Sequence, residues 1–407
     1  MWLKIKPREP LLVGDIRPDA QFLPSQKYIP GRILRGAWAE WLLRQGASSE
    51  TILQQVARLH IGNFFPAPEA SGFLYALPLP MSALECKREG GFATEPLPNR
   101  RGHGIVDILL PSLAYRLLEQ YGARFPLPFN VRCQRCGDRM EPVSGFYAVY
   151  EVRGARHHTM FRPYFHAQTK VALSRHRRAA TESMLYTPSA LSPHTDDPMK
   201  TGASPLMFVG RVFLRDDKGE DAATSFREAL SRMAIGAMHT RGYGRVEVED
   251  VEGHLPPLGE RLKAFNETLR RLWVDIRSLA VNPGRMPDGP QGIYFSVDLL
   301  APGIFRDDSG VPALVPILRL GNQTLRPILW MTRPDIASGW STAWGLPKPT
   351  RLAARMGSVF VYQWEGAEDS LLPMLENLEQ EGIGERRDEG FGECLICHPF
   401  HLEVEEK

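Results

Sequence analysis

Stretches of alternating and of helical apolar spacing follow one another along the chain, separated by turns rich in proline and glycine. Trp2–Ile5 alternates apolar and polar side chains, the period of a strand. Ile29-Pro30-Gly31-Arg32-Ile33-Leu34-Arg35-Gly36 leads into an amphipathic helix over Ala37–Arg44, and residues 50–60 read as a further short helix. From Pro66 to Arg101 the proline and glycine content predicts irregular structure, with a helix at Leu113–Tyr121 beyond it. Phe146–Val152 and Leu206–Leu214 carry the aromatic and β-branched residues of strands, and Ser225–Met233 has helical spacing. Leu255-Pro256-Pro257-Leu258-Gly259 reads as a linker before a helix over Glu260–Leu279. After the Pro/Gly stretch Asn282–Gly292, strands are expected at Ile293–Leu299, Val315–Leu320 and Thr324–Thr332, then a helix at Leu371–Gln380.

One short passage occurs twice. Ile235-Gly236 is followed by Gly242-Tyr243-Gly244, and Ile383-Gly384 at the same interval by Gly390-Phe391-Gly392. Each copy follows a helix-like stretch and runs into an apolar, strand-like one, Val246–Val248 or Cys394–Ile396. Self-similarity of this kind marks two related halves. Glycine serves where φ is positive or a second backbone comes close, and a turn of exposed N–H groups can cradle a phosphate. His239-Thr240-Arg241 and Arg245 surround the first copy with donors, whereas acids cancel the arginines of Glu385-Arg386-Arg387-Asp388-Glu389. Only the first copy therefore reads as an RNA site.

Strands interleaved with helices, without a long run of βα repeats, favour α+β domains, and two βαββαβ units fit the two loops. At 407 residues two or three domains are expected. The reading divides the chain into residues 1–254, a linker and helix at 255–292, and residues 293–407. The first part holds a cysteine-containing insertion near 66–145 and a basic arm near 152–181. No apolar run is long enough to span a bilayer, and the start lacks a secretory core. Five cysteines, an odd number with two CxxC pairs, fit a reduced cytoplasm.

The net charge of +2 hides an asymmetry. Val152–Thr181 has no acid but holds Arg153, Arg156, Arg162, Lys170, Arg175, Arg177 and Arg178 with four histidines. From Glu365 onward thirteen acids face Arg386, Arg387 and Lys407. The middle of the chain thus reads as a nucleic-acid face. Tyr147, Phe161, Tyr164 and Phe165 offer stacking rings or pack the base of a hairpin. The acidic end is expected to dock protein, through Glu376, Glu379 and Glu381.

Cys133-Gln-Arg-Cys136-Gly137 is a zinc-knuckle half-site. Cys86 is the nearest remaining cysteine and His103 the candidate fourth ligand, with His157 or His158 as substitutes. Cys394 and Cys397 fall on a strand, where side chains three apart point to opposite faces, so with His398 and His401 they read as structural.

Four features together resemble one family: Ile29–Gly36, the two Gly-aromatic-Gly loops, Thr169-Lys170-Val171-Ala172-Leu173-Ser174-Arg175 leading to Met184-Leu185-Tyr186, and the two-halved layout. They resemble the repeat-associated RAMP superfamily, the RNA-binding subunits of CRISPR effector complexes. Within it the chain is similar to the two-domain, type III-D-like subunit that holds the 5′ end of the guide RNA in type III complexes. The strongest motifs lie between residues 29 and 245. The resemblance implies two ferredoxin-like (RRM-like) domains that bind RNA through sheet, loop and a protruding hairpin. It implies Gly31, Arg32 and Arg35 near the guide backbone, with His239, Arg241, Gly242, Tyr243, Gly244 and Arg245 beside them. The arm would grip RNA through Arg162, Thr169, Lys170, Arg175, Arg177 and Arg178. The implied partners are guide RNA, backbone RAMP subunits and the large signalling subunit, with target RNA met through the guide.

Two functions follow. One is a non-catalytic RNA-binding subunit; the other is a metal-independent endoribonuclease that processes precursor guide RNA. His157, His158, His176 and His239 could serve the second, but none stands at a fixed spacing from a second acid or base, which favours the first. Cleavage of target RNA through Asp196-Asp197 is a third reading, although those residues suit a loop better.

Overall fold

In the computed structural model, which describes residues 1–14, 22–93, 102–196, 202–341 and 345–403, each half of the chain is organised around one antiparallel sheet. The first contains β1 (Trp2–Pro7), β2 (Leu59–Pro68), β3 (Ala203–Leu214) and β4 (Val246–Val251), in the spatial order β2-β3-β1-β4. The second contains β5 (Ile293–Leu299), β6 (Leu329–Met331), β7 (Val359–Trp364) and β8 (Cys394–Ile396), in the order β6-β7-β5-β8. Counted along the chain, the two orders are the same.

Helices α1 (Gly31–Arg44) and α2 (Ser49–Ala57) join β1 to β2, and α4 (Gly219–Arg232) joins β3 to β4. In the second half α6 (Glu368–Glu381) takes the place of α4. Between β5 and β6 the described residues form only short paired strands, such as Leu318–Leu320 with Gln323–Leu325. Helix α3 (Leu109–Gln120) arises within the first-half insertion and α5 (Leu258–Ser278) after the proline linker. Both pack into one apolar core with the second sheet, and α7 (Phe400–Glu403) is the seventh helix.

Helix α1 starts six residues earlier than its sequence suggested. Pro30, with its fixed φ, stands at the N-cap, and Gly31 lets the first turn lie directly on β2. A Cβ at residue 31 would strike the carbonyl oxygens of Ile61 and Gly62. Leu34, Ala37 and Trp38 form the buried face. Trp38 packs edge-on against Phe226 of α4 at 5.6 Å, and its indole N–H donates to Ser225 Oγ at 3.1 Å. Truncation of so buried an aromatic costs about 3–5 kcal/mol.

The first sheet is apolar on both faces. Leu3, Ile5, Phe64, Phe208 and Val212 pack towards α1 and α4, while Phe65, Ala67, Met207 and Val209 join a separate core with Tyr147 and Tyr150. That second core lies under a three-stranded sheet made of Phe73–Pro78, Phe146–Val152 and Ala155–Phe161. A sheet covered on both sides cannot serve as an open RNA platform, so the sheet surface implied by the family resemblance is not free in this chain.

The expectation of irregular structure over Pro66–Arg101 fails for much of that segment. β2 runs to Pro68, and Phe73–Pro78 and Ala83–Cys86 are strands. Pro66 and Pro68 sit on an edge strand and Pro78 ends another, the places where a residue without an N–H is tolerated. Residues 94–101 lie outside the described part.

Candidate nucleic-acid interface and metal centre

The two glycine loops have the same backbone, bond for bond. Ile235 N–H donates to Gly244 O at 2.9 Å, and Ile383 N–H to Gly392 O at 2.9 Å. Ala237 donates to Leu12 O and Gly244 to Pro10 O; Glu385 donates to Ile304 O and Gly392 to Pro302 O. Met238 (φ 64°) and Arg386 (φ 58°) take the left-handed conformation at matching positions, as do Gly242 and Gly390. Gly244 and Gly392 are required twice over: φ is positive, and a Cβ would strike the carbonyl of Ile235 or of Ile383.

What surrounds the loops differs. The first is keyed to the basic arm. Lys170 Nζ lies 5.0 Å above the Tyr243 ring, Tyr243 OH donates to Gln168 Oε1 at 3.4 Å, and Arg241 sits 5.2 Å over Tyr186. Tyr243 is buried with Leu12 and Ala190, so it roots the arm and offers no stacking face. His239, Arg241, Gly242 and Arg245 are exposed. The arm itself is Lys170–Ser174 paired with Ala179–Leu191. Thr169 Oγ1 lies 3.0 Å from Thr187 Oγ1 at its root. At its tip Arg175, His176, Arg177 and Arg178 are all exposed, on a turn closed by Arg178 N–H to Ser174 O at 2.9 Å. Arg162 is exposed on the approach to the arm.

The second loop meets the start of α1. Arg32 lies 5.7 Å over Phe391, which Arg386 also covers at 4.8 Å, and Arg35 donates to Asp388 O at 3.0 Å. The Gly31 N–H is occupied by Asn63 Oδ1 at 3.2 Å. Gly31, Arg32 and Arg35 were expected beside the Arg241–Arg245 loop; instead Gly31 packs on β2, and Arg32 and Arg35 meet Phe391 and Asp388. Below this contact Asn63 donates to Gly390 O and to Glu393 Oε2, at 2.9 and 2.7 Å. Burial raises the Glu393 carboxyl above its ordinary value although Arg211 stands 3.7 Å away. Arg211 and Arg261 also flank Glu379, with Arg261 at 2.9 Å.

These pairings change the reading of the acidic end. Glu379 is buried against Arg261, Glu381 pairs with Arg215 at 2.8 Å, and Glu389 accepts from Arg386 and Lys348. Burial acts against the charged form of Glu389, yet those two cations hold it down at about 2. Much of the acidity therefore binds this chain to itself, and of the three acids named for docking only Glu376 is exposed.

The four aromatic residues divide between their two readings. Tyr147 and Phe161 are buried, whereas Tyr164 and Phe165 are exposed. Tyr164 OH is hydrogen-bonded to Asp196, which ends the strand His194–Asp196; Asp197 lies outside the described residues.

The cysteine-containing insertion brings Cys86, His103, Cys133 and Cys136 together, with all four donor atoms within 4.8 Å of one another. Cys86 ends a strand that pairs with Ile105–Asp107 and Met140–Pro142. The 133–137 knuckle is closed by Gly137 N–H to Cys133 O at 2.8 Å, with Gly137 at φ 71°. Cys86 Sγ lies 3.5 Å from Cys136 Sγ and from His103 Nδ1. Hydrogen bonds from the Glu89 and Arg88 backbone outweigh burial and pull the Cys86 thiol down to about 6. Four such donors can hold a metal ion. His158 is buried against Phe92 and Tyr147 instead, so it is not a substitute ligand.

Cys394 and Cys397 are fully buried, with thiols pushed upward by burial. The geometric reason differs from the one expected, since the strand ends at Ile396 and Cys397 has φ 48°. His401 is clamped between Asp107 Oδ2 at 2.9 Å and Asp298 Oδ1 at 2.8 Å. Burial alone would lower it, but the two carboxylates raise it to about 10.

No curated protein matches this chain. Among solved structures it aligns over 93% of its length with 89% of a chain in a cryo-EM structure of the Type III-B Cmr-beta bound to cognate target RNA and AMPPnP, at 12% identity and a TM-score of 0.41. It aligns over 90% of its length with 93% of a chain from the crystal structure of the Csm3-Csm4 subcomplex in the type III-A CRISPR-Cas interference complex, at 12% identity and a TM-score of 0.37. Residues 284–399, in the half whose motifs carried the family resemblance least, match the family described as CRISPR-associated protein (Cas_Cmr3).

Proposed function

We propose that this protein is a non-catalytic RNA-binding subunit of a type III CRISPR ribonucleoprotein that holds the 5′ handle of the guide RNA. The observation that carries this reading is the arm: a hairpin with four exposed basic residues at its tip, fixed at its root to the first glycine loop. Arginine at such a tip suits phosphate, and the exposed Tyr164 and Phe165 nearby suit unstacked bases. The Cas_Cmr3 match over residues 284–399 supports the assignment to such a complex. The shared strand order of the two sheets supports a duplicated ferredoxin-like unit, with the first helix missing from the second copy. The protein works in the cytoplasm beside backbone RAMP subunits and the large signalling subunit, and meets target RNA through the guide.

The cysteine insertion holds a structural zinc ion in this reading. Zn–S bonds of about 2.3 Å place tetrahedral donors about 3.8 Å apart, close to the spacing of the thiols here. Three thiols and an imidazole leave no open position for a water, so the ion supports the fold. Metal analysis of wild-type and Cys133→Ser protein tests this; equal zinc content in the two would remove the site.

The RNA reading is tested with labelled repeat RNA, with and without EDTA. Binding without product in either condition is expected. Charge reversal of Arg175, Arg177 and Arg178 together should weaken binding by about 100-fold at low salt and leave the melting temperature unchanged. EDTA-resistant cleavage would indicate the processing enzyme instead, and EDTA-sensitive cleavage the aspartate mechanism.

A further inference from the structure

We infer that the hairpin built from residues 333–341 and 345–355 is a second RNA-binding arm, the counterpart in the second half of the basic arm in the first; this rests on the RNA-holding function proposed above. The two hairpins are rooted in the same way. The first is inserted between β2 and β3 and attached by an antiparallel bridge, Leu11 N–H to Leu191 O at 3.0 Å and Leu191 N–H to Leu11 O at 2.9 Å. Its root closes over Leu12, Ala190 and Tyr243.

The strand Pro334–Ala337, paired with Arg351–Ala354, is inserted at the matching place between β6 and β7. It is attached by the matching bridge, Gly303 N–H to Ala354 O at 2.9 Å and the return bond at 2.7 Å. Its root closes over Ile304, Ala337, Ala353 and Phe391. Leu12 and Ile304, like Tyr243 and Phe391, are equivalent by the hydrogen bonds of the two glycine loops.

The surface of this hairpin follows the same plan. Ile336 and Leu352 stand directly opposite each other across the ribbon, 67% and 39% exposed. In the first arm Leu173 and Val171 are 67% and 46% exposed. A cross-strand apolar pair left in water is unusual unless something covers it. Charge selects the cover: residues 333–355 hold four cations and one acid, and Arg333, Arg351 and Arg355 are exposed. Arg333 and Arg355 also line a cleft of about 450 Å³ with Lys27 and Arg32 on its first-half side; Asp335, 3.9 Å from Arg355, is the acid in that lining, so cations outnumber acids from this hairpin to α1. A polyanion with flat apolar faces fits such a ribbon, and single-stranded RNA is that ligand.

The test is fluorescence anisotropy with a labelled single-stranded RNA of about 30 nucleotides, several OB-fold site sizes in length, across a salt series. Arg333→Gln with Arg351→Gln should weaken binding by about tenfold and flatten the log–log salt dependence by about 1.4, the loss of two single-strand phosphate contacts. Photo-crosslinking of RNA to the wild-type protein should label peptides that contain Ile336 or Leu352, a readout that needs no variant. Unchanged affinity and slope in the double variant, with no crosslink there while the first arm is labelled, would overturn the second arm and leave the proposed function standing. Loss of a protein partner with RNA binding intact would overturn it in favour of a protein-docking ribbon. Absence of RNA binding by the wild-type protein would remove the proposed function, and this inference with it.

Discussion

The two glycine loops have one backbone and two fates. Residues 235–244 and 383–392 make the same hydrogen bonds, with glycine or left-handed residues at the same positions. In the first copy the flanking cations stand in solvent beside a protruding arm. In the second Arg386 is paired with Glu389, and Arg35 of α1 donates to the Asp388 carbonyl. Glycine spacing therefore sets the shape of the turn, while the side chains between the glycines decide whether it faces solvent beside the arm or the other half of the chain.

The comparison is broken most severely through the buried charges beneath the second loop. Glu379→Gln leaves Arg261 buried without its partner, and a loss of about 3–5 kcal/mol is expected, read by chemical denaturation. The half-buried Glu247 of β4, paired with Arg8 at the surface and changed in the same way, should alter stability by no more than about 1 kcal/mol. Equal effects would mean that the buried network does not hold the halves together.

A second prediction concerns the turn itself. Gly392→Ala and Gly244→Ala meet both a positive φ and a carbonyl, and each should cost about 3 kcal/mol. Gly242→Ala meets positive φ in open space and should cost only about 1–2 kcal/mol. If all three lose the same amount, the close backbone approach is not what requires glycine there.

The junction should also respond to pH. His401, raised to about 10 by Asp107 and Asp298, carries a proton in the folded chain above the pH at which an unfolded histidine loses it. Its contribution is complete below pH 6.5 and is lost as pH rises towards 10, so stability should fall across that window. His401→Gln should flatten the fall; an unchanged profile would place its origin elsewhere. Arg35→Ala is the mildest change, since its hydrogen bond to Asp388 O is exposed. A loss below about 1 kcal/mol is expected, with RNA affinity affected less than by any change at the arm tip.

The sequence made part of this legible. Both glycine loops could be read because glycine is the residue that such a backbone demands. β5 was read at its observed limits, Ile293–Leu299, because aromatic and β-branched residues dominate that stretch after a Pro/Gly segment. Cys133 and Cys136 were readable by spacing, Cys86 followed as the nearest remaining cysteine, and His103 was named as fourth ligand with His157 or His158 as substitutes. The inter-half network was not legible: Asn63 meets Glu393 and Arg211 meets Glu379 across long stretches of chain, and such pairs leave no local pattern. Tyr243 was placed beside the guide by resemblance, because sequence cannot distinguish a ring facing RNA from one rooting a hairpin. The ribbon of Pro334–Ala337 with Arg351–Ala354 was not legible because proline interrupts its strand pattern and it lacks the dense basic run of the first arm.

The central claim, that the chain holds the 5′ end of a guide RNA within a type III complex, is tested most directly by tagged purification from the native host and sequencing of the RNA that accompanies it. Short RNAs sharing one 5′ end, recovered with several related subunits, are the predicted result. Folded protein recovered without RNA would contradict the claim and return the basic arm to the processing enzyme, which releases its product.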